Sequence, residues 1–414
     1  MADGKVVGIL VLIVLIALAL VYTFSFNHQS GIIKGGSGQT TTPSGGNGGT
    51  KIVVYNNTNS NSTNSSNRTG QKSNSSVTTI AVQTTVAIPQ TYSVPITLRN
   101  GGAVPTQAGM QAMIVVPSSN YSSYINKNWN NVEFTTGPEG SGSAIEAWVE
   151  SNATSTAKAT VVWLKLPAVI EKHNATVIYM NFMDFQVMSR LGPTGEAPQL
   201  SPIYAEYDNG ALVFNFYDNF SGRKLNTNLW SNASAFASNP ITVNDGLTIG
   251  QSLSKQNNGY SAVLSLDTFG QGVVDFYGTL LDNSTLPHYQ DVGLVPASSN
   301  NACNLIAIGS FNGPGYNGLQ TIDSYCSARY VQGLSFGSPK IYSIYVPSLS
   351  PTNATATVNY ADPITSSFTS VILPQTIGFE NQGYGGSLGP IYWIRQRDYP
   401  PGGVLPTWGF GKLQ

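Results

Sequence analysis

Residues 145–150 read Ile-Glu-Ala-Trp-Val-Glu, and this alternation is typical of a half-buried β-strand, whose successive side chains point to opposite faces. The alternation places Glu146, Trp148 and Glu150 on one face of the predicted strand. The run at 159–166, Ala-Thr-Val-Val-Trp-Leu-Lys-Leu, is more apolar and predicts a central strand. No apolar pattern with a 3.6-residue period is long enough to predict a helix in this part of the chain.

The same kind of sequence pattern extends over residues 92–191, where short β-prone runs end at Gly, Pro or Asn. Further strands are predicted at 92–98, 113–116, 131–134 and 175–182. Regular short strands separated by turn residues are typical of a β-sandwich, so we predict one sandwich domain here.

In sequence and spacing these strands resemble the family called domain of unknown function 2341, over roughly residues 92–210. That family occurs in secreted and cell-surface proteins of archaea and bacteria. The resemblance therefore implies a β-sandwich and a location outside the cell, and it brings no established activity. Trp148 and Trp163 are interpreted as core or strand-face residues rather than ligand contacts.

A second folded domain follows a Pro- and Gly-rich connector at 192–210. Residues 213–222 read Val-Phe-Asn-Phe-Tyr-Asp-Asn-Phe-Ser-Gly, and Trp230 comes shortly after them. This segment resembles the opening strand of a concanavalin-like (laminin G-like) jelly roll. The resemblance implies that Phe220 and Trp230 close the edge of that sandwich.

Later segments continue the jelly-roll resemblance. Residues 241–249 resemble its second hairpin, 272–278 a core strand and 391–397 the closing strand. The jelly-roll domain is therefore predicted at 211–400, with a C-terminal tail at 401–414. The predicted fold class is all-β, with two β-sandwich domains behind an N-terminal membrane helix and a stalk.

Two cysteines, Cys303 and Cys326, fit a hairpin in the second domain. The β-prone segments 305–311 and 319–322 flank a Gly- and Pro-rich turn. A turn centred between residues 314 and 315 pairs residues whose numbers sum to 629, and the two cysteine numbers have that sum. We therefore predict a disulfide across adjacent strands; the alternative is two unrelated buried thiols.

The N-terminus carries an apolar run at 6–26 that is long enough to cross a bilayer core of ~30 Å. A transmembrane signal anchor is predicted at 1–27. Two alternatives stay open, namely signal-peptide cleavage after Ala17-Leu18-Ala19 and archaeal prepilin processing at Asp3-Gly4.

Residues 28–91 are rich in Ser, Thr, Asn and Gly, and this composition predicts a glycosylated stalk without a packed core. Twelve Asn-x-Ser/Thr sequons follow the anchor, so we expect a single-pass protein of the cell membrane whose bulk is extracellular. The sequons are Asn56, Asn61, Asn64, Asn67, Asn74, Asn120, Asn152, Asn174, Asn219, Asn232, Asn283 and Asn353.

The composition excludes several classes of function. Charged residues make up 9% of the chain and the net charge is -1, so no basic surface for nucleic acid is predicted. The three histidines lie too far apart in sequence for a linear metal motif, and we expect neither metal nor cofactor.

The sequence predicts a surface recognition or adhesion protein, with glycans or other envelope proteins as partners. Tyr316 and Tyr384 lie in Gly- and Asn-rich loops, where aromatic rings could stack on sugars, and they are the candidate ligand residues. The alternative function is a structural component of the envelope or of a surface filament. A glycoside hydrolase is the third hypothesis.

The distribution of acidic residues speaks against hydrolysis. Glycosidases normally use two carboxyl groups, and on jelly rolls these usually alternate along one strand. Residues 211–400 contain one glutamate, Glu380, and nine aspartates, and no two of these acids lie within four residues of each other. We therefore expect no enzymatic activity and no catalytic residues; a pair assembled from different strands stays open.

Overall fold

The computed structural model of the chain describes residues 92–414 except for 139–140, 186–191, 235–240, 251–259, 282–287, 298–302, 312–316 and 384–386. The predicted anchor and stalk lie outside the described residues. Within those residues, secondary structure is almost entirely β-strand, and no helix is both long enough and apolar enough to cross a membrane.

The first sandwich consists of two four-stranded sheets. One sheet has the order β23 (Thr407–Phe410), β1 (Tyr92–Arg99), β6 (Ala175–Phe182) and β3 (Val132–Thr135). The other has the order β2 (Gln111–Val116), β5 (Thr160–Lys165), β4 (Ala147–Ser151) and β7 (Thr194–Glu196). Side chains that alternate along these strands, such as Val94, Ile96 and Leu98, fill the space between the sheets.

Two predicted boundaries of the first sandwich are wrong. The C-terminal tail contains β23, which pairs antiparallel with β1 and places Trp408 opposite Leu98. The connector contains β7, which pairs parallel with β4 and places Gly195 opposite Trp148. Both strands are too short to show a period-two pattern in the sequence, and each is held by a sheet edge formed elsewhere in the chain.

The second sandwich consists of an eight-stranded and a seven-stranded antiparallel sheet. The eight-stranded sheet has the order β10 (Ile241–Val243), β11 (Leu247–Ile249), β22 (Leu388–Arg397), β13 (Gly272–Gly278), β18 (Lys340–Val346), β19 (Asn353–Val358) and β20 (Ala361–Ser367), with β8 (Phe216–Asp218) also on β22. The seven-stranded sheet has the order β17 (Ala328–Gln332), β16 (Asn317–Ile322), β15 (Leu305–Phe311), β14 (His288–Val295), β21 (Gln375–Gly383), β12 (Tyr260–Phe269) and β9 (Trp230–Asn232).

A single helical turn, Gly210–Val213, leads into β8, and 3-10 turns occur at Ser118–Tyr121, Pro198–Leu200 and Pro401–Gly403. The core of the second sandwich lies between its two sheets. Phe220 and Trp230 pack together there with ring centroids 5.6 Å apart, as the resemblance implied. The prediction of an all-β protein with sandwich folds is confirmed.

The predicted hairpin forms between β15 and β16, but its register differs from the prediction. Paired residues have numbers that sum to 627, so the buried Leu319 lies opposite Ile308 rather than Ser310. This two-residue shift keeps the same faces and gives an apolar cross-strand pair. Cys303 and Cys326 lie just beyond the strand ends and are joined by a disulfide. Cys326 lies in a turn, where its φ is 62°, and this turn brings it to Cys303 despite the shifted register.

A buried ionic cluster connects the two sandwiches. Glu150 of the first sandwich accepts hydrogen bonds at 2.8 Å from Arg395 and from Trp163, and at 2.5 Å from Tyr360. Arg395 also donates to Asp275 at 2.8 Å. All of these charged side chains are at most 1% exposed.

Aromatic rings surround this cluster. The guanidinium of Arg395 lies 4.4 Å from the ring centroid of Trp163 and 4.8 Å from that of Trp393. Trp148 and Trp163, predicted as core or strand-face residues, thus lie on the outward face of their sheet and pack against the second sandwich. The cluster orients the two sandwiches, and its burial leaves no room for a substrate.

Candidate functional site

The face of the seven-stranded sheet that points away from the core has an unusual composition. Alternation places Val292, Ile308 and Phe379 on the core side, so the intervening residues form the opposite side, here called the outer face. Cross-strand pairing arranges the outer face in two rows. The rows are Ala262, Glu380, Asp291, Gly309, Gly318 and Gln332, and Leu264, Gly378, Gly293, Ala307, Gln320 and Tyr330.

Glycine occupies the middle of both rows. Glycine weakens a strand interior and often marks a place where a ligand or another group approaches the backbone closely. A Cβ atom on Gly309 would lie 1.9 Å from Gln290 O and 2.5 Å from Asp291 Oδ1, so neighbouring groups already occupy the space that a side chain would take. Gly309 pairs directly with Gly318 on the next strand, where a Cβ atom would lie 1.9 Å from Val331 O, so both glycines mark places where neighbouring backbone approaches closely.

Two acids meet on the outer face. Asp291 of β14 and Glu380 of β21 lie directly opposite each other, and side chains in such positions have Cβ atoms about 5 Å apart. Neighbouring strands bring together acids that are far apart in sequence, which is the possibility that the sequence left open. Sequence reasoning did not select Asp291, and the single glycines of β14 and β15, Gly293 and Gly309, gave no clear local signal of the site.

Two oxygen atoms of the outer face are buried without a hydrogen-bond partner in the described part of the protein. They are Asp291 Oδ1, in a side chain that is 6% exposed, and Gln320 Oε1, in one that is 3% exposed. Gln320 donates from Nε2 to Tyr330 Oη at 3.2 Å, which fixes its amide plane. Buried acceptors without a partner are costly in a native protein, so each of these two oxygens has the capacity to accept a hydrogen bond from a water molecule or a ligand.

The electrostatic environment favours the neutral form of Asp291. Burial is the main cause that raises the pKa of Asp291 well above its usual range, and the nearby Glu380 raises it further. The three ion pairs in the described part of the protein all involve Arg395 or Arg397, and none of them includes Asp291. Burial and the nearby Glu380 both favour the neutral form of this carboxyl group.

The predicted ligand residues Tyr316 and Tyr384 lie outside the described residues. The strands that lead into their loops end side by side, because Phe311 pairs with Tyr289 and Gly383 with the adjacent His288 of β14. Phe311 and Gly383 therefore lie at the same end of the sheet.

The six described sequons fall into two groups. Asn120, Asn174, Asn232 and Asn353 are exposed. The side-chain amide of Asn152 donates to Ala159 O at 2.9 Å, and that of Asn219 donates to Asp208 Oδ2 at 2.8 Å. Attachment of a sugar at either of these two nitrogens would disturb an internal hydrogen bond. The other six sequons lie outside the described residues.

A second concave region lies on the first sandwich. It has a volume of about 230 Å³ and is bordered by Tyr92, Tyr124, Phe182 and Phe185, the last of which is 53% exposed. Its rings pack on one another, with centroids of Tyr92 and Tyr124 4.8 Å apart. Among its described lining residues, no polar side-chain atom is buried without a partner, so the outer face is the better candidate.

Comparison with known proteins gives a limited result. No family model matches the chain, so the resemblance to domain of unknown function 2341 stays a prediction. "Uncharacterized protein 562" of Sulfolobus islandicus rod-shaped virus 1 is 26% identical over 350 residues, which cover 75% of this chain and 58% of the relative. The chain thus spans less than two thirds of the length of this relative.

Several solved structures are similar to part of the chain. A crystal structure of LamAcat from Zobellia galactanivorans is 12% identical with a TM-score of 0.35 and covers 45% of this chain and 97% of its own. A Bacillus licheniformis beta-glucanase is 14% identical with a TM-score of 0.33 and covers 44% of this chain and 97% of its own. Likenesses of this size transfer no activity, and the sandwich fold is established by the strand pairing of this chain.

Proposed function

We propose that this protein is a membrane-anchored extracellular glycoprotein that binds glycans on the outer face of its seven-stranded sheet and does not cleave them. The observation that carries this proposal is the pair of buried acceptors without a hydrogen-bond partner, Asp291 Oδ1 and Gln320 Oε1. Sugars present many hydroxyl donors, and they bind where fixed acceptors and a nearby ring are available. Tyr330, which is 45% exposed, supplies such a ring at the edge of the face.

The absence of cleavage is part of the proposal and has its own support. Retaining glycosidases hold two carboxyl groups about 5–5.5 Å apart on either side of the scissile bond. Asp291 Oδ1 lies over Gly309 of β15, whereas Glu380 belongs to β21 on the other side of β14. Asp291 therefore directs an oxygen away from Glu380, and the two acids do not form a matched pair around one bond.

Binding by the full chain to polysaccharides from cell envelopes tests this function. Tyr330→Ala and Gln320→Leu should each weaken binding about tenfold, the loss expected for one ring or one buried hydrogen bond. Tyr325→Ala is the matched control, because Tyr325 is 76% exposed and lies in the turn beyond β16. Equal binding by all three variants, or release of reducing sugar, would reject the proposal.

The membrane anchor and the outward orientation rest on the apolar run at 6–26 and the sequons beyond it. Protease treatment of intact cells tests them and should remove most of the chain. Complete protection of residues 92–414 would reject the orientation. A structural role in the envelope is the alternative; it is favoured if no glycan binds and the protein forms a surface lattice in electron micrographs.

A further inference from the structure

The concave region of the first sandwich, here called the aromatic concavity, lies on a different sandwich from the outer face and is open to solvent. Its volume is about 230 Å³, and its lining includes Tyr92, Ser123, Tyr124, Phe182 and Phe185. Phe185 is 53% exposed, and Ser123 is also exposed. An exposed ring that lines an open concavity offers apolar surface that a ligand can cover.

The walls of the aromatic concavity are connected by one buried side chain. The side-chain amide of Asn131, which is 0% exposed, donates to Tyr124 O at 2.9 Å and to Met183 O at 2.8 Å. The backbone N–H of Met183 donates in turn to Asn131 O at 2.8 Å. These bonds join the segment that carries Tyr124 to the segment that carries Phe185. The concavity is therefore preformed, and a ligand does not have to order its walls.

A glycosylation sequon lies one turn before the lining of the aromatic concavity. Asn120 is exposed, begins the sequon Asn-Tyr-Ser, and precedes the lining residue Ser123 by three positions. The chain forms a 3-10 turn at Ser118–Tyr121, and Ser122 continues it with right-handed helical dihedral angles. With a rise of about 2 Å per residue, the Cα atoms of Asn120 and Ser123 are about 6 Å apart along this turn.

The side chains of Asn120 and Ser123 lie on the same side of this turn, because side chains three residues apart eclipse in a 3-10 helix. A second pair with the same spacing agrees with this geometry. Tyr121 and Tyr124 both pack on Phe182, with ring centroids 5.6 and 5.8 Å from it. The first sugar on Asn120 therefore starts beside a residue that lines the aromatic concavity.

We propose that the glycan attached to Asn120 folds back into the aromatic concavity and packs a sugar ring against Phe185. This inference rests on the proposed glycoprotein and assigns a binding site to its own sugar. The apolar C–H face of a sugar covers the exposed ring of Phe185, while its hydroxyl groups stay in water or meet Ser123.

The size of the concavity and the covalent attachment both favour this occupant. A volume of about 230 Å³ is below the roughly 300–1,000 Å³ of sites for drug-sized ligands, which suits the first sugars of a glycan rather than a long chain. Because the glycan is tethered at Asn120, its effective concentration at the concavity is high, and weak contacts are enough to hold it.

Urea unfolding of the full chain in detergent, purified from its native cells, tests this inference once glycopeptide mass spectrometry has identified the occupied sequons. Asn120→Gln removes the glycan, and we expect the equilibrium constant for unfolding to rise about fivefold, the effect of one ring contact. Ser122→Ala removes the same sequon without changing Asn120 and should have the same effect. The matched control is Asn353→Gln, at an exposed sequon of the second sandwich, and it should change this constant less than about twofold.

The dependence on Phe185 separates packing of the sugar from a general effect of glycosylation. In the Phe185→Ala background the ring is missing, so Asn120→Gln should have no further effect on unfolding. In the Phe185→Tyr background the ring is kept, and the loss of the glycan should still raise the constant about fivefold. Equal effects of Asn120→Gln with Phe185 and with Phe185→Ala would overturn the assigned site.

Failure of this inference can be distinguished from failure of the proposed function. Sugar on other sequons but none on Asn120 would overturn the inference and leave the proposed glycoprotein intact. Sugar on no sequon would overturn both. Sugar on Asn120 whose removal leaves the unfolding equilibrium unchanged would show that the glycan points into solvent, and it would also overturn the inference.

Discussion

Replacement of Glu150 by Gln tests how the two sandwiches are held together. Glu150 and Asp275 balance the charges of Arg395 and Arg397 inside a cluster that is at most 1% exposed. Burial alone would raise the pKa of Asp275, but Arg397 and Arg395 outweigh it and hold this pKa below its usual range. Glu150→Gln keeps the shape of the side chain and one hydrogen-bond acceptor, but it leaves one buried positive charge without a counter-charge.

The expected loss in the free energy of unfolding follows from that imbalance of charge. Removing one partner of a buried ion pair typically destabilises a protein by about 3–5 kcal/mol. Because the amide oxygen introduced by Glu150→Gln can still accept a hydrogen bond from Trp163 or Tyr360, we expect the lower end, about 3 kcal/mol. The remaining stacking of Arg395 on Trp163 and Trp393 does not compensate for the missing charge.

Urea unfolding of the full chain, followed by tryptophan fluorescence, measures this effect, since Trp148, Trp163 and Trp393 all lie in the interface. The exposed Glu171→Gln is the matched control and should stay within about 0.5 kcal/mol of the wild type. Adding Arg395→Met to Glu150→Gln should recover part of the loss, because Asp275 and Arg397 then balance each other. A free energy of unfolding unchanged by Glu150→Gln would refute this reasoning.

Three further predictions concern the second sandwich. Because burial raises the pKa of Asp291 in the folded protein above the value of about 4 in the unfolded chain, stability should fall as pH rises above about 4, by up to about 1.4 kcal/mol per pH unit. Asp291→Asn should remove this loss and should be more stable than the wild type at pH 7 but not at pH 3. Joint replacement of Cys303 and Cys326 by Ser frees a loop with a sequence separation of 23 and should lower the free energy of unfolding by about 3 kcal/mol; peptide mapping that finds free thiols in the native protein would contradict the pairing. Glycopeptide mass spectrometry should find sugar on the exposed Asn232 and none on Asn219, whose amide is engaged internally, and the reverse pattern would contradict the described environment of Asn219.

Much of the fold can be predicted from the sequence because strand patterns are local. The alternation at 145–150 and the apolar runs at 159–166 and 175–182 predict β4, β5 and β6 with small errors at their ends. The short strand β23 carries no such pattern, since its position depends on the edge of β1 more than 300 residues away. The register of the β15–β16 hairpin depended on which apolar residues face each other, which turn symmetry does not specify.

The candidate site was less predictable than the fold. Asp291 and Glu380 become neighbours only because β14 and β21 are adjacent in the sheet, and sheet order is not a local property of the sequence. The clustering of tryptophans near Arg395 was hidden for the same reason, because Trp148 and Trp393 belong to different sandwiches. β14 and β15 contain one glycine each, which is too weak a local signal to predict the site, and only strand pairing shows that Gly309 lies beside Asp291 and Gly318.

A crystal structure of the protein with a bound envelope oligosaccharide tests the central claim most directly. We expect the sugar to lie across the outer face, with hydroxyl groups within hydrogen-bond distance of Asp291 Oδ1 and of Gln320 Oε1 and a ring near Tyr330. An added oligosaccharide bound in the aromatic concavity beside Phe185, with the outer face free, would contradict the assignment of the site.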